Sequence, residues 1–154
     1  MTTNNEALSE GRRHVEAPWE RVLDVVLDLE AYPRWTKDVA EADVLTRTAG
    51  GDVDTARLRF ASGPFKDVVT LAYTTTRRPG GARVAWRLLE AHHVEAMEGH
   101  YDLQSEGAGT QVAYALHARP SFPLHTALRR RVEAQIIAGA LDALAAHVED
   151  VPRG

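Results

Sequence analysis

The sequence predicts an α+β domain: a seven-stranded antiparallel sheet followed by one long C-terminal helix, with two short helices between the first and second strands. Three observations carry this. Apolar residues recur at helical spacing in "EAPWERVLDVVLDLEAY". From about residue 41 the apolar period changes to two, through six segments separated by short turn signals. Helical spacing then returns in "LHTALRRRVEAQIIAGALDALAAHVE". The 154 residues suit a single domain over 1–154, with a core large enough to need no covalent staples.

The elements follow in order. A weak strand is expected around residues 8–15. The first helix starts at Pro18, a residue suited to a first helical position because its missing N–H would be unpaired there anyway. Val22, Val25, Val26 and Leu29 form its apolar face, and Glu20, Asp24 and Asp28 its wet one. Pro33 in "EAYPRW" must break or restart that helix. The strands are "ADVLTRT", "TARLRFAS", "FKDVVTLAYTTT", "ARVAWRLLE", "VEAMEGHYDLQ" and "TQVAYALHA", with turns at "AGGD", "RRPGG" and "EGAG". The final helix, roughly 25 residues or about 37 Å long, carries two apolar rows. Leu128, Val132, Ile136 and Ala140 make one; Ile137, Leu141, Leu144 and Val148 make the other.

The stretch "RVAWRLLEAHHVEAMEGHYDL" fixes which way the strands face. A turn centred between His92 and His93 sets Arg87 opposite Glu98 and Arg83 opposite Asp102, two opposite-charge pairs on one face. The other face then pairs Leu88 with Met97, Trp86 with Gly99 and Val84 with Tyr101. A one-residue slip would scramble both faces. In this register Trp86, Leu88, Met97, Tyr101 and Leu103 point inward and His100 points out. The same alternation sends Ala56, Leu58, Phe60, Phe65, Val69, Leu71, Tyr73, Val112, Tyr114 and Leu116 inward. His117 falls outside, as do Arg57, Arg59, Arg83 and Arg87. Asp67 is the one acidic side chain aimed at the apolar face.

Composition narrows the function classes. A net charge of −4 offers no electrostatic footprint for nucleic acid. Without cysteine there are no disulfides, no thiolate chemistry and no Cys-ligated zinc. The N-terminal "MTTNNEALSEGRR" lacks the apolar core of a signal peptide, and no apolar run nears a membrane span, so a cytoplasmic protein without an integral membrane segment is expected. No cofactor is expected. A metal site from His92, His93 and His100 would need convergence that adjacent, oppositely facing strand residues do not give. His93 keeps a place at a cavity mouth. The run "RRR" at 129–131 reads as a solvated face, with guidance of an anionic ligand as the alternative.

The aromatic set points to a cavity. Trp35, Phe60, Phe65, Tyr73, Trp86, Tyr101 and Tyr114 would serve as core, yet three inward tyrosine hydroxyls and the Asp67 carboxylate each require a partner. A cavity holding water or a polar-headed ligand between sheet and helix satisfies all four.

The segments "HVEAPWERVLDVVLDLEAYPRW", "FKDVVTLAY", "VAWRLLEA", "EGHYDLQSEGAGTQVAYAL" and "ALRRRVEAQIIAGALDALAAHVE" together resemble START-like, helix-grip (SRPBCC) proteins, and most the actinobacterial polyketide cyclase/dehydrase-type branch. The resemblance spans roughly residues 8–149. It implies a sheet wrapped around the C-terminal helix with a deep hydrophobic cavity between them. It places Trp35 near the cavity or a helix-pair gate, and Trp86, Tyr101 and Tyr114 on the cavity floor. It also implies polyketide cyclisation as a possible activity, although no arginine here has the inward parity that such enzymes are thought to use.

The expected function is binding of a hydrophobic or aromatic small molecule, polyketide- or lipid-like, by a monomer or homodimer. The ligand wall is expected to comprise Trp35, Phe60, Phe65, Leu71, Trp86, Leu88, Met97, His93, Tyr114, Leu128, Val132 and Ile136. The alternative is a polyketide cyclase/dehydratase. In that reading a buried Asp67 of raised pKa moves a proton, while Tyr73 or Tyr101 polarises a carbonyl. A protein-interaction module built on the helix pair and "RRR" is a third, weaker reading.

Overall fold

The computed structural model describes residues 8–61 and 63–150, so the chain ends beyond them lie outside this description. Strand β1 (Ser9–Val15) leads into helix α1 (Trp19–Leu27). Pro18 stands just before the first turn, in an extended conformation, rather than within it. Val22, Leu23 and Val26 are buried, Val25 only partly. A single 3₁₀ turn at Leu29–Ala31 passes into the short helix α2 (Tyr32–Trp35), and Pro33 restarts the helix as its first turn. The remaining strands are β2 (Val39–Arg47), β3 (Val53–Phe60), β4 (Asp67–Arg78), β5 (Gly81–Glu90), β6 (Val94–Glu106) and β7 (Gly109–Pro120). Helix α3 (Thr126–Asp150) closes the fold.

All seven strands form one antiparallel sheet, ordered β1-β7-β6-β5-β4-β3-β2. Strands β2 to β7 are a meander, and β1 adds to its far edge beside β7. The α1–α2 connection therefore crosses from one edge of the sheet to the other, and α1 packs on β5 and β6. Helix α3 rests mainly against β1 and β7. Gly11 permits this approach: a Cβ there would lie 2.7 Å from Ile137 Cγ2. With the helix seated toward one edge, the concave faces of the other strands are left to line a cavity.

The expected hairpin register holds. Arg83 pairs with Asp102, Val84 with Tyr101, Trp86 with Gly99 and Arg87 with Glu98. Arg83 Nε donates to Asp102 at 2.9 Å, and Arg78 reaches the same carboxylate at 2.8 Å. Pairing ends at Arg87 and Glu98, so Leu88 and Met97 are not ladder partners; Leu88 instead pairs with Leu71 on β4.

Two side chains depart from the exposure expected of them, His117 by strand alternation and Arg129 as part of a solvated face. His117 is buried, not outside, and Arg129 of the arginine run is buried with it. Among the described residues β1 begins opposite Leu116, so it does not cover the next inward backbone group of β7. Glu133 of α3, fully buried, fills that place: it accepts the Ala118 N–H at 2.8 Å and the Ser9 hydroxyl at 2.6 Å. Arg129 Nη1 bonds Glu133 at 2.9 Å and lies 3.0 Å from His117 Nδ1. A carboxylate on the helix thus completes the sheet edge, and its charge draws Arg129 inward, where the guanidinium meets His117. Arg130 and Arg131 are exposed, as a solvated face requires. Among the described residues no helix is long and apolar enough to cross a membrane.

Candidate functional site

The cavity lies between the concave face of the sheet and α3. Leu58 and Phe60 of β3, Leu71 and Tyr73 of β4, and Val84 and Trp86 of β5 form its floor. Met97 and Tyr101 of β6 and Tyr114, Leu116 and Ala118 of β7 continue it. Ile136 and Ala140 of α3 form the roof. One end is closed by Phe65 and by the segment carrying Val26, Tyr32, Trp35, Thr36, Asp38 and Val39. About 80 Å³ of its interior admits the centre of a water-sized sphere, enough for several waters or a small ring system.

The floor is an aromatic cluster. The Tyr101 and Tyr114 ring centroids are 4.5 Å apart, and Trp86 lies 5.6 Å from Tyr101, 5.8 Å from Tyr114 and 6.2 Å from Tyr73. Trp86 occupies this position because β6 has no side chain at Gly99, where a Cβ would come within 2.9 Å of the indole Cζ2. The Tyr32 hydroxyl donates to the Val26 carbonyl, tying α2 back to α1. Burial pushes the hydroxyls of Tyr32, Tyr73, Tyr101 and Tyr114 up from the usual phenol range, and the Asp38 carboxylate pushes Tyr101 and Tyr114 further. These groups are neutral donors and acceptors, not phenolates. Trp35 stacks on His147 of α3 with centroids 5.7 Å apart and packs on Tyr32 at 4.9 Å. Among the described residues its buried Nε1–H has no hydrogen-bond partner.

Of the expected wall, the cavity brings together Trp35, Phe60, Phe65, Leu71, Trp86, Met97, Tyr114 and Ile136, with Tyr73 and Tyr101. Four residues stand elsewhere. Leu88 and Val132 are half-buried and pack against the core without reaching the cavity. Leu128, in the first turn of α3, is 46% exposed. His93 lies in a shallow surface depression with Asp67, His92 and Lys66.

Asp67 is the main correction. It is buried, yet not in the cavity wall. As the first residue of β4 it turns to the β5–β6 bend. Its Oδ2 accepts the N–H groups of His92, His93 and Val94 at 3.0, 2.7 and 3.1 Å, and its Oδ1 that of Val68 at 2.7 Å. Burial pushes its carboxyl up, but these four donors outweigh it and hold the group below the usual carboxylate range. The expectation of a raised pKa is therefore reversed: Asp67 stays ionised and secures the double-histidine bend. Ser121 N–H pins the same bend through the His93 carbonyl at 2.7 Å. His100 lies on the convex face beside Arg83 and Asp102, as alternation requires. Among the described residues no three His, Asp or Glu side chains are grouped to hold a metal ion.

Sequence reasoning missed Tyr32, Thr36 and Asp38. They lie in the irregular passage from α1 to β2, where neither the helical nor the strand period applies, and only the density of aromatics in "AYPRW" marks the region.

Comparison with known proteins agrees with this architecture. A family model described as polyketide cyclase/dehydrase and lipid transport matches residues 7–149. The chain belongs to that family. Its fold is that of a START superfamily protein from Mycobacterium smegmatis, with TM-score 0.86 and 18% identity over 96% of this chain and 100% of that one. A STAR-related lipid transfer protein from Xanthomonas axonopodis aligns with TM-score 0.76 and 21% identity, over 92% of this chain and 85% of the other. The Zhui aromatase/cyclase from a Streptomyces species aligns with TM-score 0.70 and 19% identity, over 92% and 93% of the two chains. No protein of curated function matches the chain. The protein thus has the helix-grip fold of a START-like, polyketide cyclase-type family.

Proposed function

We propose that this family member binds a hydrophobic or aromatic small molecule, polyketide- or lipid-like, between its sheet and α3. The observation that carries the reading is the enclosed apolar cavity floored by Tyr73, Trp86, Tyr101 and Tyr114. The hydroxyls of Tyr73, Tyr101 and Tyr114 are the polar groups of that floor, able to donate to or accept from a ligand. Apolar walls supply affinity and a few polar groups supply orientation, the usual division of labour in ligand sites. Native mass spectrometry of freshly purified protein tests this: a retained mass that is released on denaturation is expected. A bare chain mass, together with no thermal shift from any hydrophobic ligand in a panel, would contradict it.

Cyclisation and dehydration of a bound poly-ketone is the second reading. It is favoured by the placement of Tyr73 and Tyr101 on the floor, where neutral hydroxyls would donate to a carbonyl oxygen. Asp67 drops out of this scheme because its oxygens are committed to backbone N–H groups outside the cavity. Turnover of a bound poly-ketone that Tyr101→Phe abolishes while binding persists would favour catalysis. Absence of turnover by the wild type on every ligand it binds would leave binding as the function. Light scattering reads the expected monomer or homodimer.

A further inference from the structure

The charges around the cavity are one-sided. Among the described residues, no Lys, Arg or His lines it, and one carboxylate, Asp38, does. The nearby cations are otherwise placed. Arg57, Arg59, Arg83 and Arg87 are exposed on the convex face. Arg129 is held by Glu133. Lys37, adjacent to Asp38 in the chain, is exposed, and His147 lies behind the Trp35 ring, stacked on its face. Asp38 is half-buried and lines the cavity. An anionic group carried into the cavity would lose its hydration with no cation to replace it. The same group beside Asp38 would face a like charge. A neutral group with an N–H or O–H meets the opposite situation. A carboxylate accepts several hydrogen bonds at once, so Asp38 can take that donor alongside the partner it already has, and the tyrosine hydroxyls can donate to an adjacent carbonyl.

We infer that the cavity selects its ligand by charge, taking neutral ring compounds that pair a hydrogen-bond donor with a carbonyl or hydroxyl oxygen and rejecting carboxylates such as free fatty acids. The inference rests on the cavity being the ligand site, as proposed above. Burial of the four tyrosines as neutral hydroxyls agrees with it, since a phenolate would repel the same anions.

The test compares naphthamide with naphthoate, two molecules of the same shape that differ in charge at pH 7, by isothermal titration calorimetry on the full chain. Naphthamide is expected to bind at least about tenfold more tightly. In Asp38→Asn, with folding confirmed by circular dichroism, the preference is expected to shrink through a gain in naphthoate affinity. Naphthoate binding as tightly as naphthamide to the wild type overturns the charge rule and leaves the cavity reading standing. If neither binds, while no other apolar ring compound binds either, the cavity reading itself fails and takes the charge rule with it. The wild-type comparison decides the matter even if the Asp38 variant does not fold.

Discussion

Trp86 lies over Gly99 on the neighbouring strand, with its Cζ2 only 2.9 Å from where a Cβ at that position would stand. The ring can therefore sit close to the sheet and contact Tyr73, Tyr101 and Tyr114, tilted against the first two and edge-on to the third. Any Cβ at Gly99 would collide with the indole and also with the backbone carbonyl of Ala115, which cannot move without disturbing β7.

Gly99→Ala is accordingly expected to cost about 1–3 kcal/mol, the usual range for overpacking a filled site. The expected signature is a lower midpoint in urea together with a change in tryptophan fluorescence as Trp86 is displaced. A variant as stable as the wild type, with an unchanged spectrum, would show that the ring does not depend on the glycine.

Asp67→Asn is expected to lower stability by about 2 kcal/mol near neutral pH, by replacing a charged acceptor of backbone donors with a weaker neutral one. The sign with pH follows from its depressed carboxyl. Stability from Asp67 is fully present above the unfolded value, about 4, and is lost as pH falls through the lower folded value. Urea midpoints measured from pH 7 downward should thus show the wild type's excess over Asp67→Asn shrinking only in that acidic window. An excess that disappears already near neutrality would indicate the raised carboxyl that an acid catalyst requires.

Glu133→Ala removes the acceptor shared by Ser9, Ala118 and Arg129, and breaking such a buried pair costs about 3–5 kcal/mol. Glu133→Gln keeps an acceptor for Ala118 and should lose less. Thermal midpoints of the two variants rank them; equal losses would mean that charge alone, not acceptance of the sheet-edge N–H, holds the helix there.

Strand parity was legible wherever a strand had neighbours on both sides. That is why the Arg83–Asp102 pairing and the inward placement of Trp86, Tyr101 and Tyr114 could be read from alternation. It misled at strand ends. Asp67 has inward parity but sits at the first position of β4, where the bend at His92 and His93 offers more donors than the cavity does. His117 has outward parity, but Glu133 reaches the edge of β7 and holds Arg129, whose guanidinium meets His117. The helical row Leu128–Val132–Ile136–Ala140 is real, yet only its last two members reach the cavity, since periodicity says which face is apolar and not how far the sheet extends beneath it. Asp38, the acidic residue that does line the cavity, lies between periodic elements and carried no signal in the sequence.

The most direct test of the account is fluorescence titration with N-phenylnaphthylamine, a neutral apolar ring compound with one N–H donor. Wild type is compared with Ala140→Phe, in which a ring replaces the methyl of an α3 residue lining the cavity. The account predicts saturable one-to-one binding by the wild type and affinity at least about tenfold weaker in a folded Ala140→Phe. No saturable binding by the wild type, or equal affinity in the filled variant, would contradict it.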